Sequence, residues 1–240
     1  MPLTAVILAA GAGSRLGERG RRHSKAMLPI AGRPLVEWVL MRLRDAGVER
    51  IVVVGHPSDA PLENLLRGQH PAAVLVRQPE RKGIADALCY ALPLLADEPA
   101  YLACACDSLF SANDIRRVIA RGRARAGAAV LGVMEMGGAA TASRSAVQLS
   151  GARVTQIIEK PPPGTAASGV VALPLYWLPQ AAAPYLEFAA ALGGERYISS
   201  ALNDFIVAGG VVDAVRVRER IEITTAEDVH EAEKRLAPPP

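Results

Sequence analysis

Two glycines and two cations near the start of the chain carry the first chemical signal. In the run Leu8-Ala-Ala-Gly-Ala-Gly-Ser-Arg-Leu16 an apolar segment leads into Gly11 and Gly13, and Ser24-Lys-Ala-Met-Leu-Pro29 follows shortly after. Glycine tolerates positive φ and lets backbone approach a ligand with no Cβ in the way, so successive N–H groups of such a loop can point at phosphate oxygens. Arg15 and Lys25 add the charge that amides lack. The arrangement suits a polyphosphate. A tight βα turn with solvated basic residues has the same pattern, so the surrounding elements must decide.

Short apolar runs at Ala5 to Ala9, Ile51 to Val54, Ala73 to Val76 and Tyr101 to Cys106 alternate with segments of helical period. Runs that are apolar on both faces predict a sheet covered by helices on each side, an α/β pattern. Pro34 to Ala46 sets Leu35, Trp38, Val39 and Leu43 at helical spacing and stops at Gly47, and Ser111 with Asp114 predicts a capping box for the next long helix. Ligands of such sheets bind at the carboxyl ends of strands. Gly11 and Asp107 both fall there. From about Gly132 strand-like pieces at Ala146 to Leu149, Val154 to Glu159 and Gly169 to Leu173 are broken by Gly137-Gly138 and the prolines Pro161 to Pro163, which predicts a mixed extension of the sheet. Helical segments at Tyr185 to Leu192 and Tyr197 to Ala208, a strand at Val211 to Val217, and a last helix opened by Thr225 with Asp228 complete the reading.

A chain of 240 residues with 50% hydrophobic content can bury one large core. Its formal charge of +3 comes from 27 basic against 24 acidic residues spread along the sequence, which argues against a dedicated nucleic-acid surface. The dense run Arg19 to Arg22 reads as a solvated loop, or as a patch drawing an anion toward the glycine loop. Cys89, Cys104 and Cys106 are odd in number and read as buried free thiols, suited to a reducing cytoplasm. The N-terminus lacks a basic region before its apolar segment, and no stretch approaches the roughly 20 apolar residues of a membrane span. A soluble cytoplasmic protein without a membrane partner is expected.

Taken in order, the motifs resemble those of the sugar-1-phosphate nucleotidyltransferases, the nucleotide-sugar pyrophosphorylases, and among them the catalytic domains of glucose-1-phosphate thymidylyltransferases. LAAGAGSRL with SKAMLPIAGRPL is similar to the family's glycine-rich signature and its lysine. Gln78-Pro79 followed by Gly83 to Leu88 resembles the nucleobase-reading segment, and Asp107-Ser-Leu-Phe110 the Asp-Asn-x-Phe turn. Ile158-Glu-Lys-Pro161, Gly194-Glu195 and Ile221-Glu-Ile-Thr-Thr225 are similar to the Glu-Lys-Pro, sugar-binding and terminal acidic segments.

The resemblance implies a Rossmann-like three-layer αβα fold with a mostly parallel mixed central sheet. One catalytic domain would span 1–236, with a nucleotide-binding half to about 131, an acceptor-binding half from about 132, and 237–240 as a flexible tail. Bifunctional forms of the family are not expected, and a homo-oligomer is. The implied reaction joins an NTP, with a pyrimidine base (dTTP, UTP or CTP), to a sugar 1-phosphate and releases pyrophosphate. The attacking phosphate is largely dianionic at neutral pH, its second pKa being about 6, so no deprotonating base is needed. Positioning, cations and metal are.

In the implied scheme Leu8, Ala9, Ala10, Gly11, Ala12 and Gly13 cradle the nucleotide, and Gln78 and Gly83 read the base. Arg15 and Lys25 face the α-phosphoryl group and the departing pyrophosphate. Lys160 holds the incoming phosphate, while Glu159, Ser168 and Glu195 contact the sugar. Asp107 and Glu222 ligate Mg²⁺, which prefers hard oxygen ligands and keeps several waters.

Four departures from the pattern stand out: Glu222 for the usual aspartate, Ser108 for asparagine, Ala9-Ala10 for Gly-Gly, and Pro174 for a glycine. They leave two other readings open: a cytidylyltransferase for a cyclitol phosphate or phosphocholine, the latter caged by Tyr176, Trp177 and Tyr197, and an inactive nucleotide-binding regulatory subunit. A dinucleotide-dependent oxidoreductase is disfavoured, since Leu16 stands at the third glycine position and Val54-Gly55 ends the second strand with no acid.

Overall fold

Strand β1, Thr4–Leu8, is buried along nearly its whole length and sits between two parallel neighbours, β4 (Arg50–Gly55) and β6 (Ala100–Ala105). The register pairs Leu8 with both Val54 and Ala105. Three chains therefore leave the sheet at one edge, which sets the glycine loop, the turn after Gly55 and Asp107 side by side. The computed structural model describes residues 2–136, 144–162, 169–188 and 197–237; Ser168, Glu195 and the Gly137-Gly138 break lie outside them.

The remaining strands are β2 (Pro29–Ile30), β3 (Arg33–Pro34), β5 (Ala73–Arg77), β7 (Ser108–Phe110), β8 (Ala129–Glu135), β9 (Ala146–Ser150), β10 (Arg153–Ile158), β11 (Val170–Pro179), β12 (Val212–Arg216) and β13 (Arg220–Glu222). Nine of them form one sheet in the order β5-β4-β1-β6-β11-β8-β12-β10-β9. Only β11 and β10 oppose the common direction, so the sheet is mixed but mostly parallel. Successive residues of β1 and β4 enter opposite cores. Ala5, Ile7, Ile51 and Val53 pack under the helices Leu35–Asp45, Ala60–Gln69, Ala112–Ala124 and Ala226–Leu236. Val6, Val52 and Val54 pack under Ile84–Ala91, Ala183–Phe188 and Ile198–Val207. The result is a three-layer αβα arrangement.

Two local expectations change. The strand expected to stop at Leu173 runs on to Pro179. Pro174, which has no N–H for the ladder, lies where the β11–β8 register shifts between Ala172 and Tyr176, so a bulge absorbs it. The Ser111 box is only half made. The Ser111 hydroxyl accepts from the Asp114 N–H and donates to Asp114 Oδ2 at 3.0 Å, but instead of the Ser111 backbone N–H the Asp114 carboxylate accepts from the backbone N–H groups of Arg218 and Glu219 and from Arg117. Burial alone would raise this carboxyl's pKa, but those donors outweigh it and hold the group below its ordinary value. Thr225 and Asp228 do form a complete capping box.

Candidate functional site

The glycine loop is shaped by Gly13, whose φ of +67° opens a single 3₁₀ turn, Ser14–Leu16. Leu16 is buried and pins the loop, while Gly11, Ala12 and Arg15 are exposed. Lys25 rises beside both glycines. A Cβ at Gly11 would stand 3.7 Å from its Cδ, and one at Gly13 would stand 3.6 Å from its Cβ. Its Nζ reaches Asp107 Oδ2 at 2.6 Å, and the Ser108 hydroxyl donates to Oδ1 at 3.2 Å. The loop, its lysine and the strand-end aspartate, far apart in sequence, meet at one place.

Next to the loop lies a cavity of about 280 Å³, walled by Ala9 to Ala12 on one side and by His56, Ser58 and Arg81 on the other. Arg81 Nε donates to the Ala10 carbonyl at 2.7 Å and so spans the cradle. Sequence reading passed over Arg81; its one signal is its place between Gln78 and Gly83. Gln78 is 3% exposed, and its amide nitrogen donates to Asp86 Oδ2 at 2.8 Å and the Gly83 carbonyl at 3.4 Å. The two expected base-reading residues are therefore in contact, and the Gln78 carboxamide oxygen has no hydrogen-bond partner among the described residues.

The ribbon of β7 and β13 brings the other expected carboxylate close. Glu222 pairs with Ser108, and the Ile223 N–H donates to the Asp107 carbonyl at 2.9 Å. Glu222 is already engaged. Arg144 donates from Nη1 to Oε1 at 3.1 Å and from Nη2 to Oε2 at 2.5 Å, and Arg220 Nη2 lies 3.0 Å from Oε1. Burial works against ionisation of Glu222, but the two guanidiniums prevail and lower its pKa. Arg220 is itself lowered, by its own burial. Neither arginine was singled out from the sequence. Arg220 shares a strand face with Glu222, a legible hint; Arg144 lies 78 positions from its partner, and nothing local marks it.

On the acceptor side Glu159 Oε2 accepts from the Ser145 hydroxyl at 2.6 Å and the Ser199 hydroxyl at 3.0 Å. Lys160 has a left-handed backbone, φ +43°, and its Nζ approaches the Tyr197 hydroxyl at 3.1 Å. Tyr176 is buried within the influence of Glu159, Arg220 and Asp107, and burial first, then those carboxylates, push its hydroxyl pKa up. Tyr176 and Trp177 enter opposite cores, so they cannot line one cage with Tyr197.

Among the described residues no three His, Cys, Asp or Glu side chains gather as a metal site. The donor set would suit an ion carried in with a polyphosphate: Asp107 could supply one hard oxygen ligand, and phosphates and water the rest. Glu222 would have to leave its arginines to join it. No helix among the described residues is long and apolar enough to cross a membrane.

Residues 5–204 match the family model of the MobA-like NTP transferase domain. The chain is 31% identical to a UTP--glucose-1-phosphate uridylyltransferase of Haloferax volcanii, over 98% of this chain and 96% of that protein. A segment of 64 residues is 48% identical to the CMP-5'-(3-aminopropyl)phosphonate synthase of Streptomyces rubellomurinus, covering 26% of this chain and only 10% of that protein. The fold is similar to that of the UTP-bound UGPase from Acinetobacter baumannii, with a TM-score of 0.83 at 24% identity over 98% of this chain and 93% of that one.

Proposed function

Because the chain belongs to the MobA-like NTP transferase domain family, we propose that it transfers a nucleotidyl group from a pyrimidine nucleoside triphosphate to a sugar 1-phosphate, forming a nucleotide sugar and pyrophosphate. The Haloferax volcanii relative, matched from end to end, supports the substrate class. The observation that carries the reading is the contact of Lys25 with Asp107 beside Gly11 and Gly13.

In this reading the N–H groups of Ala10 to Gly13 receive the triphosphate, and Lys25 and Arg15 offset charge on the α-phosphoryl group and on pyrophosphate as it leaves. Gln78 offers its oxygen to a base N–H next to Gly83. Lys160 holds the incoming phosphate. Glu159, set by Ser145 and Ser199, accepts from acceptor hydroxyls, the role also proposed for Ser168 and Glu195, which lie outside the described residues. Asp107 would hold Mg²⁺, which when bound would screen the phosphate charge during transfer. The acceptor arrives as a dianion, so no side chain needs to take a proton.

The continuous sheet supports one catalytic unit over 1–236, with nucleotide and acceptor halves meeting near residue 131. Cys89, Cys104 and Cys106 form no disulfide, which supports a reducing cytoplasm. The absence of a shared aromatic cage weighs against phosphocholine as acceptor. The test supplies dTTP, UTP and CTP in turn with sugar 1-phosphates, a cyclitol phosphate and phosphocholine, and measures Mg²⁺-dependent pyrophosphate release. Release with a sugar 1-phosphate is expected, and silence with every pair would end the proposal.

A further inference from the structure

Glu222 occupies the place of a metal-binding carboxylate, yet three features around it favour an anion over a cation. The first is charge: the guanidiniums of Arg144 and Arg220 share the one carboxylate of Glu222 as ion-pair partner among the described residues, while Asp228 acts on Glu222 and Lys25 only through its field. The second is Arg220, whose side chain is 7% exposed. Its Nε and Nη2 are used by Ser108 and Glu222, while Nη1 has no partner among the described residues. The third is Arg144, whose Nε is buried and unbonded among the described residues. A buried guanidinium donor without an acceptor is costly, and an arriving oxyanion would relieve the cost. The two-bonded fork of Arg144 on Glu222 fixes the plane of its guanidinium, and a planar fork matches phosphate oxygens as well as it matches a carboxylate. Two neighbouring guanidiniums repel each other, and the carboxylate between them offsets that repulsion.

We propose that Arg144 and Arg220, held in place by Glu222, bind the phosphate monoester group of the acceptor, and that Glu222 is a positioning residue with no direct bond to the metal. The proposal rests on the nucleotidyl-transfer reading above. It gives the acceptor phosphate two arginine partners in addition to Lys160, and it leaves Asp107 as the protein's single carboxylate for Mg²⁺.

The test combines a calorimetric titration of the nucleotide-free, metal-free chain with inorganic phosphate and initial rates in which acceptor, NTP and Mg²⁺ are varied in turn. Arg144→Gln, Arg220→Gln and Glu222→Gln are each expected to weaken phosphate binding at least tenfold, and Asp107→Asn to retain it. The same three variants should raise the acceptor KM at least tenfold with a smaller change in kcat, leaving NTP KM and Mg²⁺ half-saturation within threefold. Arg220 is buried, so if its variant fails to fold, Arg144 and Glu222, at 26% and 29% side-chain exposure, carry the test. Equal phosphate binding by all the proteins would overturn the proposal. So would a rise in Mg²⁺ half-saturation in Glu222→Gln matching that in Asp107→Asn. The titration needs no turnover. Phosphate binding without activity on any pair therefore sinks the transferase reading alone, and activity without phosphate binding sinks the anion site alone.

Discussion

Lys25 Nζ lies 2.6 Å from Asp107 Oδ2 across 82 positions of sequence. With no substrate bound, the two charges offset each other at the mouth of the glycine loop. In the proposed reaction a triphosphate would take the ammonium for its own oxygens and free the carboxylate for a cation, and the pair would then link nucleotide arrival to readiness for metal. Replacing Lys25 by Gln keeps the size but removes the charge. Loss of one preorganised electrostatic contact of this kind costs about 10²–10³ in kcat, and a fall of that order is expected in steady-state pyrophosphate release.

Arg81 spans the cradle through the Ala10 carbonyl and walls the cavity beside it. Arg81→Gln is expected to raise the KM for NTP about tenfold, the equivalent of one charged hydrogen bond, with the acceptor KM unchanged. Varying each substrate at saturating levels of the other reads this directly. An acceptor effect of equal size would remove Arg81 from the nucleotide side.

Asp114 ties the turn at Arg218 and Glu219, and through it the β7–β13 ribbon. Its pKa is depressed in the folded state, so its contribution to stability is fully present above the ordinary value of 3.8 and is lost as pH falls through the lower folded value. Asp114→Asn should therefore lower stability at pH 7 by roughly 1.5–3 kcal/mol, the usual worth of hydrogen bonds to a charged group. Below about pH 4 the gap to the unsubstituted chain should narrow. Urea unfolding between pH 3 and 7 measures both, and a constant gap across that range would refute the account.

Gly122 lies against the Trp177 ring, and a Cβ there would stand 2.3 Å from ring carbon. Gly122→Ala must displace the indole, and overpacking of this kind costs about 1–3 kcal/mol. At this chain length about 2–4 °C of Tm is lost per kcal/mol, so thermal unfolding should show a drop of several degrees. Substrate KM values, set on the far edge of the sheet, should not move.

What was legible in the sequence was local or repetitive. The parallel strands are apolar on both faces, and the glycine loop, Lys25 and Asp107 each sit next to a strand end, where the rules of α/β sheets bring them together. Missed features depend on long-range pairing. Asp114 satisfies a local capping pattern, but a turn 104 positions away supplies the backbone N–H groups its carboxylate accepts from, while Ser111 keeps only a hydroxyl contact to it. Arg144 became visible only once the ribbon had delivered Glu222. The expected strand ended at Leu173, whereas a register shift lets β11 pass through Pro174, which cannot donate to a ladder.

The antiparallel insertion of β11 between β6 and β8 has a consequence during synthesis. Until residues 170–179 leave the ribosome, β6 has no partner on its outer side, and its row of unpaired backbone N–H and C=O groups stays open to any passing strand. The two halves of the sheet are thus poor candidates for separate expression. A fragment ending near residue 131 should aggregate, whereas adding the later chain in trans, through Pro179, would seal the gap.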